Sequence, residues 1–146
     1  MTVQSPAFQA GGQIPRRFTC NGRNVSPPLR WSGVPPRARE LALLVEDPDA
    51  GDFVHWSLLA LPRGTRALAE GHVPATADQA KNSFGKAGWG GPCPPKGSTH
   101  HYVFTLYALR RPLGLGPGAS PKQASTAIRA AAIAKGTLSA RYGRRG

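Results

Sequence analysis

Apolar positions along this chain fall in short runs separated by turn formers. The run Leu41–Glu46 (LALLVE) reads as a buried strand, although its leucine and alanine content alone also permits a helix. The turn-forming DPDAGD follows, and Phe53–Leu61 is a second strand candidate closed by Pro62. The clearest strand is His101–Leu109 (HYVFTLYAL), rich in aromatic and β-branched residues. Residues 1–36 hold short apolar pieces cut by GG, NG, SPP and VPP, and proline at that density forbids helix. Residues 63–80 read as irregular and 81–99 as loop. One helix is well marked: Ser120 suits the N-cap, Pro121 the first helical position, and Gln123 completes a capping box. Ala124, Ala127, Ile128 and Ala131 form its apolar stripe, and Gly136 is placed to stop it. Thr137–Tyr142 then alternates as a last short strand or an extended tail. The pattern as a whole predicts an antiparallel β architecture with one C-terminal helix.

Length and composition narrow this further. The 146 residues suit one domain spanning 1–146, and an apolar share of 40% supports a packed core. The 18 glycines and 15 prolines sit between apolar runs, which points to a loop-rich fold rather than disorder. No apolar stretch is long enough for a membrane-spanning helix. The N-terminal residues lack a basic start followed by an apolar segment, so a cytoplasmic location is expected. The net charge of +12 invites a nucleic-acid or anionic-surface reading. Yet the basic residues are scattered from Arg16 to Arg145 with no run longer than two, which disfavours that reading. The acids are more telling, since four of the seven (Glu46, Asp47, Asp49, Asp52) fall within one turn region.

Three segments could carry chemistry. With a strand period of two, His100, Tyr102, Phe104 and Leu106 share one face, and His101, Val103, Thr105 and Tyr107 the other. The adjacent histidines therefore cannot both line one site. His100 stands where loop becomes strand, beside the Tyr102 hydroxyl, either as the polar end of an apolar pocket or as a satisfied strand-end histidine. In DPDAGDFVHW, Asp47 ends one strand and His55 lies early in the next. If these strands are neighbours, Asp47 can accept from the His55 imidazole and set its tautomer. The plainer reading is an Asp-Pro-Asp turn bonded to its own backbone. In NSFGKAGWGGPCPPKGSTHH, Gly85, Gly88, Gly90 and Gly91 offer backbone N–H groups that could form an anion nest, while Pro92, Pro94 and Pro95 stiffen the rim. Cys20 and Cys93 are expected as small buried thiols. A bond between them is unforced in a reducing compartment, and neither has the spacing of a zinc site or the setting of a nucleophile.

Together these segments resemble the phosphatidylethanolamine-binding protein family, in its bacterial Raf-kinase-inhibitor-like branch. The resemblance runs through residues 5–31, DPDAGDFVHW, the 82–109 segment with GPCPP and H-x-Y, and the tail to RYGR. It implies a mainly β fold, with a large central antiparallel sheet packed against a smaller one and a few peripheral helices. It also implies a small anion pocket formed by Asp47, Asp49, His55, Pro94, Pro95, His100 and Tyr102, with Gly91 nearby. The implied partner is a phosphate-bearing small molecule or phospholipid head group, and some eukaryotic members regulate kinase pathways. Peripheral membrane contact and a homodimer are compatible with the resemblance, which implies no turnover, metal or cofactor. The leading expectation is thus a non-catalytic binding module. The alternatives are an acid–base hydrolase using the Asp/His cleft, which lacks a nucleophile, and a charge-driven nucleic-acid binder. Departures from the family pattern stand at Gly51 (usually Pro), Ala60 (usually Asn), Ala130 and Ala131 (usually Gly-His) and Ala140 (usually Gly). They lead one to expect a looser rim and altered tail contacts.

Overall fold

The computed structural model describes residues 1–145. A three-stranded antiparallel sheet has the order β1 (Thr2–Gln4), β2 (Leu29–Ser32), β5 (Ala67–Leu68). A five-stranded antiparallel sheet has the order β6 (Asp78–Gln79), β4 (Phe53–Pro62), β3 (Glu40–Asp47), β7 (Thr99–Leu109), β8 (Ala132–Gly143). The single α-helix among the described residues, α1, spans Pro121–Ala131.

The larger sheet is covered on both faces, and this explains why β3 reads as a continuous apolar run rather than an alternating one. Leu41, Leu43 and Val45 join Trp56, Leu58, Phe104, Leu106 and the small sheet's Val3, Leu29 and Trp31 in one cluster. Ala42 and Leu44 face the other way and pack with Val54, Leu59, Tyr107 and the helix residues Ala124, Ile128 and Ala131. Burying one such leucine contributes about 1.5–3 kcal/mol, so both faces stabilise the strand against the helical alternative.

The helix starts as its sequence predicts. Ser120 Oγ accepts from the Gln123 amide at 3.0 Å, and Gln123 Oε1 accepts from the Ser120 amide at 2.9 Å. Its end differs from expectation. The helix stops at Ala131 and the chain runs directly into β8, with Gly136 in mid-strand opposite Leu106. A side chain at Gly136 would place its Cβ 2.5 Å from the Met1 carbonyl oxygen, so this glycine serves close packing of the N-terminus rather than a helix cap. The expected short tail strand is twelve residues long because it pairs along the whole of β7. The proline-dense N-terminal region supplies β1, β2 and a 3-10 turn at Arg16–Phe18, and the irregular 63–80 segment supplies two-residue strands β5 and β6.

Candidate functional site

Strand order brings the ends of β3, β4 and β7 side by side, since β3 pairs with both of the others. A cavity of about 210 Å³ opens there, lined by Asp47, Ala50, Phe53, His55, Phe84, Cys93, Pro94, Pro95, His100 and Tyr102. Six of the eight residues singled out from the sequence therefore meet at one place.

Asp47 is 3% exposed and uses both carboxylate oxygens. Oδ1 accepts from the Asp49 amide at 2.8 Å and caps the 3-10 turn Pro48–Ala50, while Oδ2 accepts from His100 Nδ1 at 2.6 Å. The turn and the imidazole-orienting role hold together, but the histidine differs from the one expected. His55 Nδ1 instead donates to the Gly90 carbonyl. The acceptor in each case is an oxygen without a proton, so both rings carry their hydrogen on Nδ1. No described residue hydrogen-bonds to Nε2 of either ring. His55 is buried, and that burial pulls its pKa below the ordinary histidine value. Its ring lies 5.0 Å from Phe53, 5.6 Å from Phe84 and 5.2 Å from Tyr102 between centroids.

Tyr102 is 1% exposed and its hydroxyl has no hydrogen-bond partner among the described residues. Burial, with the Asp47 and Asp49 carboxylates nearby, pushes its phenol pKa up, so the hydroxyl keeps its proton. The adjacent histidines point to opposite faces as the strand period requires. His101 leaves the cavity and binds Asp49, whose Oδ2 accepts from its amide at 2.7 Å and from Nδ1 at 2.9 Å. The amide bond in particular holds the Asp49 carboxyl below its ordinary range. Asp49 thus lies outside the cavity lining. With Glu46 held by Arg129 at 2.8 Å, three of the four clustered acids have basic partners.

Gly91 is also outside the lining. Its amide donates to Asn24 Oδ1 at 2.8 Å, and a Cβ there would collide with the Phe18 carbonyl oxygen and Asn24 Oδ1. The expected glycine nest does not form. Gly85 N–H donates to the Asn82 carbonyl, Gly88 to Ala80 and Gly90 to His55, so these donors build the loop rather than face a ligand. Asn82 organises the turn from within, accepting from the Phe84 and Lys86 amides and donating to the Gly88 carbonyl. Sequence reasoning missed Asn24, Asn82, Phe53 and Phe84. Only Phe53 carried a signal, as the residue two before His55 on the same strand face.

The expected small buried thiols are corrected on both counts, since each cysteine is exposed and neither is free. Cys20 and Cys93 form a disulfide with Cα atoms 5.4 Å apart. The fold forces the pairing: the Cys20 amide donates to the Pro92 carbonyl, and the Trp89 indole to that of Phe18, which lays the 89–95 loop on the 18–24 turn. The bonded Cys93 sulfur in the cavity wall is no nucleophile. The tail is docked in spite of its departures: Arg144 exchanges backbone bonds with Gly97 and Ser98 and donates to the Pro94 carbonyl at 3.3 Å. Among the described residues, no helix is long and apolar enough to cross a membrane.

This geometry has relatives. Residues 4–143 match the family model described as phosphatidylethanolamine-binding protein. LppC of Mycobacterium tuberculosis is 48% identical over 141 residues, covering 94% of this chain and 70% of that protein. Among solved structures, Escherichia coli YbcL, described as a member of the mammalian PEBP family, superposes with a TM-score of 0.94 at 31% identity over 99% of this chain and 98% of its own. Chlamydia trachomatis CT736 superposes with a TM-score of 0.90 at 36% identity over 98% and 97%. The chain belongs to the phosphatidylethanolamine-binding protein family and has that family's two-sheet fold.

Proposed function

We propose that the chain is a non-catalytic binding module whose cavity takes a small oxyanion, such as the phosphate of a head group. The observation that carries this reading is the pair of oriented imidazoles. His55 and His100 line one small cavity, each with Nδ1 tied to protein and Nε2 without a protein partner. Phe53, Phe84, Pro94 and Pro95 give that cavity an apolar wall. The unpartnered Tyr102 hydroxyl adds a cost of about 1–3 kcal/mol that a ligand oxygen would remove.

The test is an NMR titration with O-phosphoethanolamine at fixed salt, following the imidazole signals. Saturable shifts at His55 and His100 are expected, with His101 little affected. A charge-assisted hydrogen bond is worth about 1.5–3 kcal/mol, so His100→Ala should weaken binding about tenfold or more. Unchanged affinity in that variant would sink the assignment. A nucleic-acid reading predicts instead a steep salt dependence and indifference to His100.

A further inference from the structure

The sequence scatters its arginines, and the fold gathers six of them at the end of the sheets opposite the cavity. Glu40 at the start of β3 lies opposite Pro62 of β4 and Leu109 of β7, so Arg39, Arg63 and Arg110 follow at neighbouring strand ends. The Arg39 amide donates to the Leu109 carbonyl at 2.8 Å, which fixes that row. Arg37 and Arg111 adjoin it in sequence. Arg66 stands just before β5, where its carbonyl accepts from the Trp31 amide at 3.0 Å. All six are exposed, and none has a carboxylate partner among the described residues. The acid within the row, Glu40, accepts from the Leu113 amide at 3.3 Å, and burial raises its pKa, with Asp78 adding to the rise. Four of the other acids, Glu46, Asp47, Asp49 and Asp52, stand at the opposite, cavity end.

A groove of about 420 Å³ lies at this arginine end, between residues 32–36 and 63–66. That size is in the range of ligand-binding clefts. Trp31 lines it and is held in place by its indole N–H, which donates to the Thr65 carbonyl at 2.8 Å. Val34, Pro35 and Pro36 supply an apolar lining from one segment, and Arg63 and Arg66 supply charge from the other. Arg63 Nη1 donates to the Pro36 carbonyl at 3.4 Å and spans the two segments. Its other donors, and all those of Arg66, are unengaged among the described residues.

Apolar lining beside two unpaired guanidiniums calls for a ligand that carries both characters. Exposed large apolar side chains among the described residues are limited to Phe84, at the cavity end, so nothing here would insert into a bilayer. The same lack of an exposed aromatic leaves nucleic-acid bases without a stacking platform. An acidic peptide has what the groove takes. Its carboxylates suit planar guanidiniums, which bind them through two parallel N–H bonds, and an aliphatic side chain suits the proline and valine surface.

We propose that this groove docks an acidic segment of a partner protein, with carboxylates at Arg63 and Arg66 and an apolar side chain against Val34, Pro35 and Pro36. The field of Arg37, Arg39, Arg110 and Arg111 speeds the encounter without setting its register. This site does not rest on the oxyanion reading of the cavity.

The test is fluorescence anisotropy of the full chain with a labelled peptide, Glu-Glu-Leu-Glu-Glu, at about 150 mM salt, where long-range charge effects are largely screened. Saturable binding with a Kd below about 1 mM is expected. Arg63→Ser with Arg66→Ser should weaken it about tenfold or more. Replacing the peptide leucine by serine should weaken it about fivefold or more, a comparison that leaves the protein unaltered. Lys122→Ser with Lys135→Ser removes the same charge elsewhere on the surface and should change affinity less than about twofold. All four substituted side chains are exposed, so thermal melts of both variants should match that of the parent. No binding at about 1 mM peptide, equal losses in the two double variants, or a serine peptide that binds as well as the leucine one would each overturn the proposal. A DNA duplex that binds more tightly than the peptide through the same two arginines would also overturn it, and would make this end a nucleic-acid surface.

Discussion

Tyr102 shows how one side chain can serve binding against stability. Its hydroxyl is buried without a hydrogen-bond partner among the described residues. Tyr102→Phe removes the unsatisfied group and keeps the ring, so the free protein should gain about 1 kcal/mol while phosphate affinity falls. Denaturant titration and ligand titration of the same variant check the two halves, and a destabilised variant would show that the hydroxyl has a partner in solution. His55 gives a second residue-level expectation. Burial lowers its pKa, so the unfolded chain takes up a proton at this ring more readily than the folded one. Its contribution to stability is complete above the ordinary histidine value of about 6.5 and is lost as the pH falls below it. An NMR pH titration should find the His55 ring titrating below that value, and a midpoint at or above it would refute the assignment.

At the level of elements, the departures from the family pattern acquire physical meanings. The register between β3 and β4 slips between Leu41 and Leu43, setting Leu59 and Ala60 of β4 against Ala42, and Ala60 is held at φ 57°. Alanine in the left-handed region costs about 1–2 kcal/mol, whereas asparagine, the residue usual at this position in the family, tolerates it. Ala60→Asn should therefore raise Tm by about 2–4 °C in a thermal melt, and a lower Tm would show that the bulge favours alanine for another reason. Gly51 departs in the opposite sense. It sits at φ 66° beside Asp52 at φ 60°, a turn that proline, locked near −65°, cannot adopt. The rim there is a different turn rather than a loosened copy. Ala131 and Ala140, the departures near the C-terminus, are simply buried in the two core clusters.

Across the whole molecule, the disulfide joins the cavity wall to a turn 73 residues earlier in the chain. Closing so long a loop typically stabilises by about 2–4 kcal/mol. Reduction, or the double substitution Cys20→Ser with Cys93→Ser, should lower Tm. It should also weaken anion binding, because Cys93, Pro94 and Pro95 are consecutive lining residues. Melts and phosphate titrations with and without reductant check this. If Tm falls while affinity holds, the Gly91–Asn24 and Arg144–Pro94 hydrogen bonds suffice to hold the wall.

What the sequence by itself determined were features set by a few neighbouring residues. The buried strands followed from apolar runs, the helix start from Ser120 and Gln123, and the opposed directions of His100 and His101 from strand period alone. The helix end was misplaced because Gly136 looks like a local stop. Its real reason is the Met1 carbonyl, brought to β8 from the other end of the chain. The site divides in the same way. Its residue types were legible, but their pairing was not: Asp47 meets His100 across 53 positions, Gly91 meets Asn24 across 67, and Cys93 meets Cys20 across 73. Periodicity and capping act within one or two turns of chain, whereas hydrogen-bond partners are chosen by strand order and register. Only the tertiary structure could decide which histidine the Asp47 carboxylate orients, and that the glycine amides hold the loop together instead of facing a ligand.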